Sequence, residues 1–95
     1  ARPAEPSTLA EQNDSFASAV AAKNSGDAPE AIARFDAFLA SYPRSPLAES
    51  ATVQRMHLLA PLDRKRAHEA AEAYLAAYPN GLARAEARTI LSDAP

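Results

Sequence analysis

The side chains best suited to acid–base or metal chemistry in this chain are two histidines, His57 and His68. His68 and Glu72 are four residues apart, so on a helix they would share one face and could supply two metal ligands. A metal site needs at least one more ligand, and no second pair is spaced to converge on this one. Neither histidine has the partners of a nucleophile–base–acid set. We therefore expect no enzyme activity, no metal and no cofactor, with both histidines solvated or packed at an edge.

Composition excludes several other chemistries. The 95 residues include no cysteine, which rules out disulfides, thiolate metal sites and thiol catalysis. Only Gly26 and Gly81 are present, too few for a glycine-rich phosphate loop. The net charge of −2 gives no overall attraction to nucleic acid, and no apolar run approaches the roughly 20 residues of a membrane span. We expect no nucleic-acid binding and no direct membrane insertion by this segment.

One short run is strongly basic: Arg64, Lys65 and Arg66, followed by His68. We call these four residues the basic patch. Cations at the start of a helix oppose its dipole, at a cost of about 0.3–1 kcal/mol each. The patch could dock an acidic partner or lipid headgroups. The alternative is a solvated loop–helix junction whose long side chains lie over an alanine-rich surface.

The elements that carry these residues are predicted to be helices only. Alanine, the best helix former, supplies most of the 47% hydrophobic content, and β-branched runs are missing. A capping box at Thr8 and Glu11 marks the first helix start, and Asp27 and Asp63 are suited to cap later ones. The predicted helices are about 8–25, 28–42, 46–60, 64–78 and 82–92, each ending near glycine or proline.

The buried side of each later helix is predicted from helical spacing. The second helix should bury Ile32, Phe35, Leu39 and Tyr42, and the third Leu47, Ala51, Leu58 and Leu59. In the fourth and fifth helices the expected core residues are Ala67, Ala70, Ala71, Tyr74, Leu75, Tyr78, Ala83, Ala87, Ile90 and Leu91.

A phrase recurs at a constant offset of 36 residues. The stretch FLASYPRSPLAESA, which begins at Phe38, aligns without a gap on YLAAYPNGLARAEA, which begins at Tyr74. Two helices per period in the mid-thirties are typical of helical repeat arrays. We interpret the phrase as a joint between stacked helices: an aromatic edge, a proline stop, a small cap residue and an alanine that lets the next helix approach.

The first repeat resembles a tetratricopeptide repeat (TPR). With Pro43 as the closing proline, Ala19, Ala31 and Phe35 fall where that family places small and aromatic residues, and Gly26 matches its inter-helix turn. The second repeat keeps Ala67 and Pro79 but departs from the family pattern elsewhere, with Ala71 at the position of Phe35. The resemblance implies an all-α, TPR-like superhelical stack of two antiparallel helix hairpins plus a C-terminal capping helix.

A narrower similarity links the joint phrase to TPR-like domains of bacterial envelope proteins. These are the TolA-binding and outer-membrane-assembly lipoproteins and the periplasmic C-terminal domains of anti-sigma-factor-like regulators. The similarity implies a periplasmic domain, tethered by a segment outside this sequence, with a cytoplasmic location as the alternative. We expect residues 1–7 to be a Pro/Ala-rich linker, 8–92 the helical domain and 93–95 a tail.

The resemblance also implies where a partner would bind. TPR-like arrays use the concave side, lined by the first helix of each pair, and its positions here include Asn13, Lys23, Thr52, Met56 and Arg88. Phe16 and Val20 lie in the same row and could equally be core. The expected function is a non-enzymatic protein–protein interaction module in signalling or envelope assembly, binding a protein or peptide. The alternative is a structural or oligomerisation domain with no ligand of its own, for which a homodimer is one form.

Overall fold

The structure, a computed structural model, describes the backbone of residues 4–92 and the side chains of residues 9–92. Within that range the chain folds into α-helices joined by turns and contains no strand, which confirms the all-α prediction. The helices are α1 (Ala4–Asn24), α2 (Ala28–Ser41), α3 (Ala48–Leu59), α4 (Arg64–Ala77) and α5 (Arg84–Ser92). No helix in the described part is long and apolar enough to cross a membrane.

The first helix begins earlier than its capping signal suggests. α1 starts at Ala4, so the predicted start at Thr8 is wrong. Pro6 does not prevent this, because it is the third helical residue, where the backbone N–H has no intrahelical acceptor anyway. Residues 1–3 and the predicted tail 93–95 lie outside the described residues. A linker role for residues 1–7 stays a prediction, although residues 4–7 are helical.

Helices α2 and α4 start as their sequences predict. The Asp27 carboxylate accepts the N–H of Glu30 at 3.2 Å, and the Asp63 carboxylate accepts the N–H of Arg66 at 3.1 Å. Each cap satisfies a backbone donor in the first turn that has no partner within the helix. Gly26 precedes the first of these caps with φ +87°, a backbone conformation that glycine adopts without strain.

Helices α3 and α5 each begin two residues later than predicted. The chain forms a turn before α3, in which the Ala48 N–H donates to the Ser45 carbonyl at 2.9 Å. The matching bond before α5 joins the Arg84 N–H to the Gly81 carbonyl at 3.2 Å. Pro46 therefore lies in this turn and is not the first residue of α3.

Residue contacts divide the chain into two compact units, with the boundary between Ala51 and Thr52 inside α3. In the first unit α1 packs against α2, and in the second α4 packs against α5. Both pairings join helices that are neighbours in sequence, as short connections favour. The superhelical arrangement of a TPR-like stack stays a prediction.

An aromatic cluster forms the core of the first unit. The Phe16 ring makes T-shaped contacts with Phe35 and Phe38, with 5.8 Å between ring centroids in each pair. Phe35 and Phe38 are fully buried, whereas Leu39 and Tyr42, predicted to be core, are half-buried. Ile32, Phe35 and Phe38 follow one another at steps of three residues and lie on the side of α2 that packs against α1. Leu39 comes two helical turns after Ile32 and shares that side, but its side chain is only half-buried.

Small side chains dominate the core of the second unit. Tyr74 is its largest fully buried residue, and Met56 and Leu59 contribute from α3. The alanines buried with them are Ala67, Ala70, Ala71, Ala83 and Ala87. The other predicted core positions are half-buried, namely Leu58, Leu75, Tyr78, Ile90 and Leu91 in this unit and Leu47 in the first. Alanine lets the helix backbones approach closely, so little space remains between them for larger side chains, which lie at the edge of the core.

Candidate functional site: the joint and the face of α4

The two histidines lie in different surroundings. The His57 Nε2 is 2.9 Å from the Glu86 Oε1, an exposed contact between α3 and α5. His68 is half-buried on α4, and its Nε2 atom is buried without a hydrogen-bond partner, so it does not pair with Glu72. Within the described part of the chain, no three His, Asp or Glu side chains gather as a metal site would require.

Of the residues predicted to bind a partner, Met56 is not on the surface. Its side chain is fully buried, so the prediction that it lines a binding surface is wrong. Met56 and Leu59 are three residues apart and therefore share the inward face of α3. Asn13 and Arg88 are exposed, while Lys23 and Thr52 are half-buried.

The first unit carries a continuous row of the predicted surface. Asn13, Phe16, Val20 and Lys23 recur along α1 at helical spacing. Phe16 and Val20 are half-buried, with the Phe16 ring resting on the aromatic core. The row therefore combines a partly exposed apolar centre with polar ends. Thr52 and Arg88 belong to the second unit.

The basic patch lies where the sequence places it, at the start of α4. Arg64, Lys65 and Arg66 are exposed, and the first turn of α4 contains no acidic residue. The first turn of α2 instead carries Glu30, whose charge suits a helix N-terminus. A shallow groove of about 460 Å³ runs beside the patch, lined by Arg64, Lys65, His68, Glu69 and Glu72.

The repeated phrase forms the same structure twice. Helices α2 and α4 both have 14 residues and begin 36 positions apart. The C-cap residue that follows each helix is a tyrosine with nearly the same backbone, φ −132° and ψ 60° at Tyr42 and φ −131° and ψ 68° at Tyr78. The Tyr42 carbonyl accepts the Ser45 N–H at 3.1 Å, and the Tyr78 carbonyl accepts the Gly81 N–H at 2.9 Å. The 36-residue register thus holds at the level of individual hydrogen bonds.

One amide in the joint is satisfied differently in the two copies. In the first copy the Leu47 N–H donates to the Ser45 hydroxyl at 3.0 Å. In the second copy glycine replaces that serine, and the matching Ala83 N–H donates to the Tyr74 hydroxyl at 3.1 Å. The residue that matches Tyr74 in the first copy is Phe38, which has no hydroxyl. The two repeats thus differ at two positions, Phe38/Tyr74 and Ser45/Gly81, and together these differences keep the equivalent backbone N–H hydrogen-bonded in both repeats.

Comparison with known proteins does not place this chain in a family. No protein-family model, no curated protein and no solved structure matches it.

Replacing His68 with isoleucine should stabilise the protein by about 1–2 kcal/mol. The change removes a buried, unpaired nitrogen, the kind of group whose burial costs about 1–3 kcal/mol. It also introduces the residue of the other copy, because Ile32 lies 36 positions earlier and is 6% exposed. Urea unfolding measures the change. His57→Ile is the control and should give no gain, since His57 is exposed and contacts Glu86. A less stable His68→Ile variant would show that the imidazole has a native partner.

Proposed function

We propose that this chain is a protein-interaction domain built on a helical repeat and has no catalytic role of its own. The observation that carries the proposal is the gapless repeat of residues 27–51 at 63–87, with equivalent caps, helix lengths and turns. Domains of this kind use repeated helix pairs as a scaffold, and their surfaces bind other proteins.

The α1 row is the surface we assign to the partner. Its half-buried Phe16 and Val20 offer apolar contact, while Asn13 and Lys23 offer a hydrogen-bonding amide and a cation. An apolar strip with polar ends suits a helix or an extended peptide laid along α1. The ammonium group of Lys23 favours a partner segment with a carboxylate at the corresponding end.

The bacterial envelope is the setting we propose. Support comes from the joint phrase, which resembles the TPR-like domains of periplasmic and envelope-assembly proteins, including the anti-sigma-factor-like regulators. A periplasmic domain in a signalling protein would bind a protein whose state it reports across the membrane. This proposal does not depend on which partner occupies the α1 row.

Site-specific photo-crosslinking tests the assignment of the partner surface. A photoreactive phenylalanine derivative at Asn13 should give one defined adduct in cells that express the full-length protein. Glu11 is the control, because it is exposed on the same helix about 200° around the axis from Asn13. The purified partner should then bind the chain, and Lys23→Glu should weaken that binding about tenfold or more. Equal adducts from both positions, or none from Asn13, would contradict the assignment.

A further inference from the structure

One face of α4 carries its charges in a definite order. Arg64 and Lys65 come first, His68 lies in the middle, and Glu69 and Glu72 follow. We call these five residues the charged face of α4. All line the same groove, and the four charged residues are exposed. Positive charge therefore lies at one end of a stripe about 12 Å long and negative charge at the other.

These charges make no ion pair within the described part of the chain. Lys65 and Glu69 are four residues apart, a spacing at which a helix can form such a pair, yet they do not. The ion pairs that do form include Arg34 with Glu30 on α2. Arg64, Lys65, Glu69 and Glu72 therefore remain available to charges from another molecule.

The charge order belongs to α4 and not to the repeat. The residues of α2 that lie 36 positions earlier are Ala28, Pro29, Ile32, Ala33 and Asp36, with one charge among them. The stability of the helix does not explain the difference either, because cations in the first turn oppose the helix dipole. The charged face is therefore a feature of α4 that the matching positions of α2 lack.

We propose that the charged face of α4 binds the same face of a second copy of this chain, with the two helices antiparallel. The pattern is self-complementary about His68, since Arg64 lies four residues before it and Glu72 four residues after. A two-fold axis through the two His68 residues places Arg64 of each copy opposite Glu72 of the other. Lys65 lies beside Arg64 at the same end of the stripe and therefore also approaches Glu72 of the other copy. Glu69, one residue from the axis, lies opposite Ala67. Such isologous contacts are the commonest basis of homodimers.

The same groove is poorly suited to an acidic peptide or an anionic membrane. Either ligand would meet Arg64 and Lys65 at one end but be repelled by Glu69 and Glu72 at the other. A second copy satisfies both ends, and the aliphatic stems of the long side chains supply apolar contact between the helices. One helix pair buries less than the roughly 1,200 Å² of a stable interface, so the dimer is weak and depends on salt.

Sedimentation equilibrium of the purified chain tests the proposal, with charge reversal on each half of the face. The Arg64→Glu/Lys65→Glu variant and the Glu69→Lys/Glu72→Lys variant should each lose self-association by about tenfold or more. Mixing them should restore association, because each variant then presents the complement of the other. Arg44→Glu/Arg84→Glu is the control, with the same change in net charge as the first variant at two residues that do not belong to the charged face. It should associate like the wild type.

Two further measurements keep the outcome interpretable. Thermal unfolding of Arg64→Glu/Lys65→Glu should occur at the wild-type temperature or higher, since acidic residues suit a helix N-terminus. A photoreactive group at Asn13 should leave self-association unchanged, which separates this proposal from the partner surface on α1. A wild-type chain that stays monomeric, or a mixture that fails to associate, would overturn the dimer. Binding of a poly-glutamate peptide or of anionic vesicles by a monomeric wild type would reassign the face to that ligand.

Discussion

Replacing Phe35 with alanine should lower the free energy of unfolding by about 3–5 kcal/mol. The ring is fully buried, and the edge contact with Phe16 at 5.8 Å ties α2 to α1. Truncation removes the apolar area of the ring and leaves a cavity between two helices, which relax only in part. A loss of this size is a large share of the roughly 5–15 kcal/mol that stabilises a typical domain. Urea unfolding followed by circular dichroism measures it.

Two control variants test whether the loss of stability comes from the buried volume of Phe35. Phe35→Leu keeps much of the buried volume and should lose clearly less stability, so it remains measurable if the alanine variant fails to fold. Leu9→Ala on α1 removes an apolar side chain that is 55% exposed, and little change is expected. An unchanged unfolding midpoint for Phe35→Ala would mean that Phe35 is not the residue that packs α2 against α1.

Replacing Tyr74 with phenylalanine should cost about 1–3 kcal/mol, even though the ring is kept. The Tyr74 hydroxyl accepts the buried Ala83 N–H at 3.1 Å, and its removal leaves that donor without a partner. Gly81→Ser should then recover most of the loss. The serine hydroxyl would take the position that Ser45 has in the first copy, where it accepts the Leu47 N–H at 3.0 Å. Gly81 does not have positive φ, so a serine fits the backbone there.

The double-mutant cycle separates this rescue from a general effect of removing glycine. Gly81→Ser alone should give at most a small gain, of about 0.4–1 kcal/mol, through the unfolded chain. The coupling between the two changes should exceed about 1 kcal/mol. The mirror experiment in the first copy is Ser45→Gly, whose loss Phe38→Tyr should offset. Additive effects in both copies would show that the hydroxyls do not satisfy the same amide.

Local signals explain which parts of the fold could be predicted. Asp27 and Asp63 cap their helices through an N–H three residues away, an interaction that the sequence alone contains. The capping box at Thr8 has the same form but lies inside α1, because Ala4, Glu5 and Pro6 are compatible with a first helical turn. Core residues were harder to predict where two apolar residues are adjacent. Phe38 and Leu39 satisfy the same pattern, and only the packing of α2 on α1 selects Phe38.

The positions of the basic patch and of the joint can be read from the sequence, but the contacts that their residues make cannot. The basic patch and the joint follow from charge and spacing, whereas the Tyr74–Ala83 bond joins residues nine positions apart across a turn and needs the folded structure. A signal for it does exist in the sequence: the copies differ at both Phe38/Tyr74 and Ser45/Gly81. The helix position of Met56 matches the expected binding row and so predicts a surface residue, but a methionine fits a core position equally well, and Met56 is fully buried.

An experimental structure of the chain, by crystallography or NMR, tests the central claim most directly. That claim is that the structure of residues 27–51 is built a second time at residues 63–87. Residues 27–51 should superpose on residues 63–87 without a gap, with Tyr42 and Tyr78 ending their helices in the same backbone conformation. The Ala83 N–H should point at the Tyr74 hydroxyl. Helices α2 and α4 that begin out of the 36-residue register, or a Tyr74 hydroxyl directed into solvent, would contradict the account.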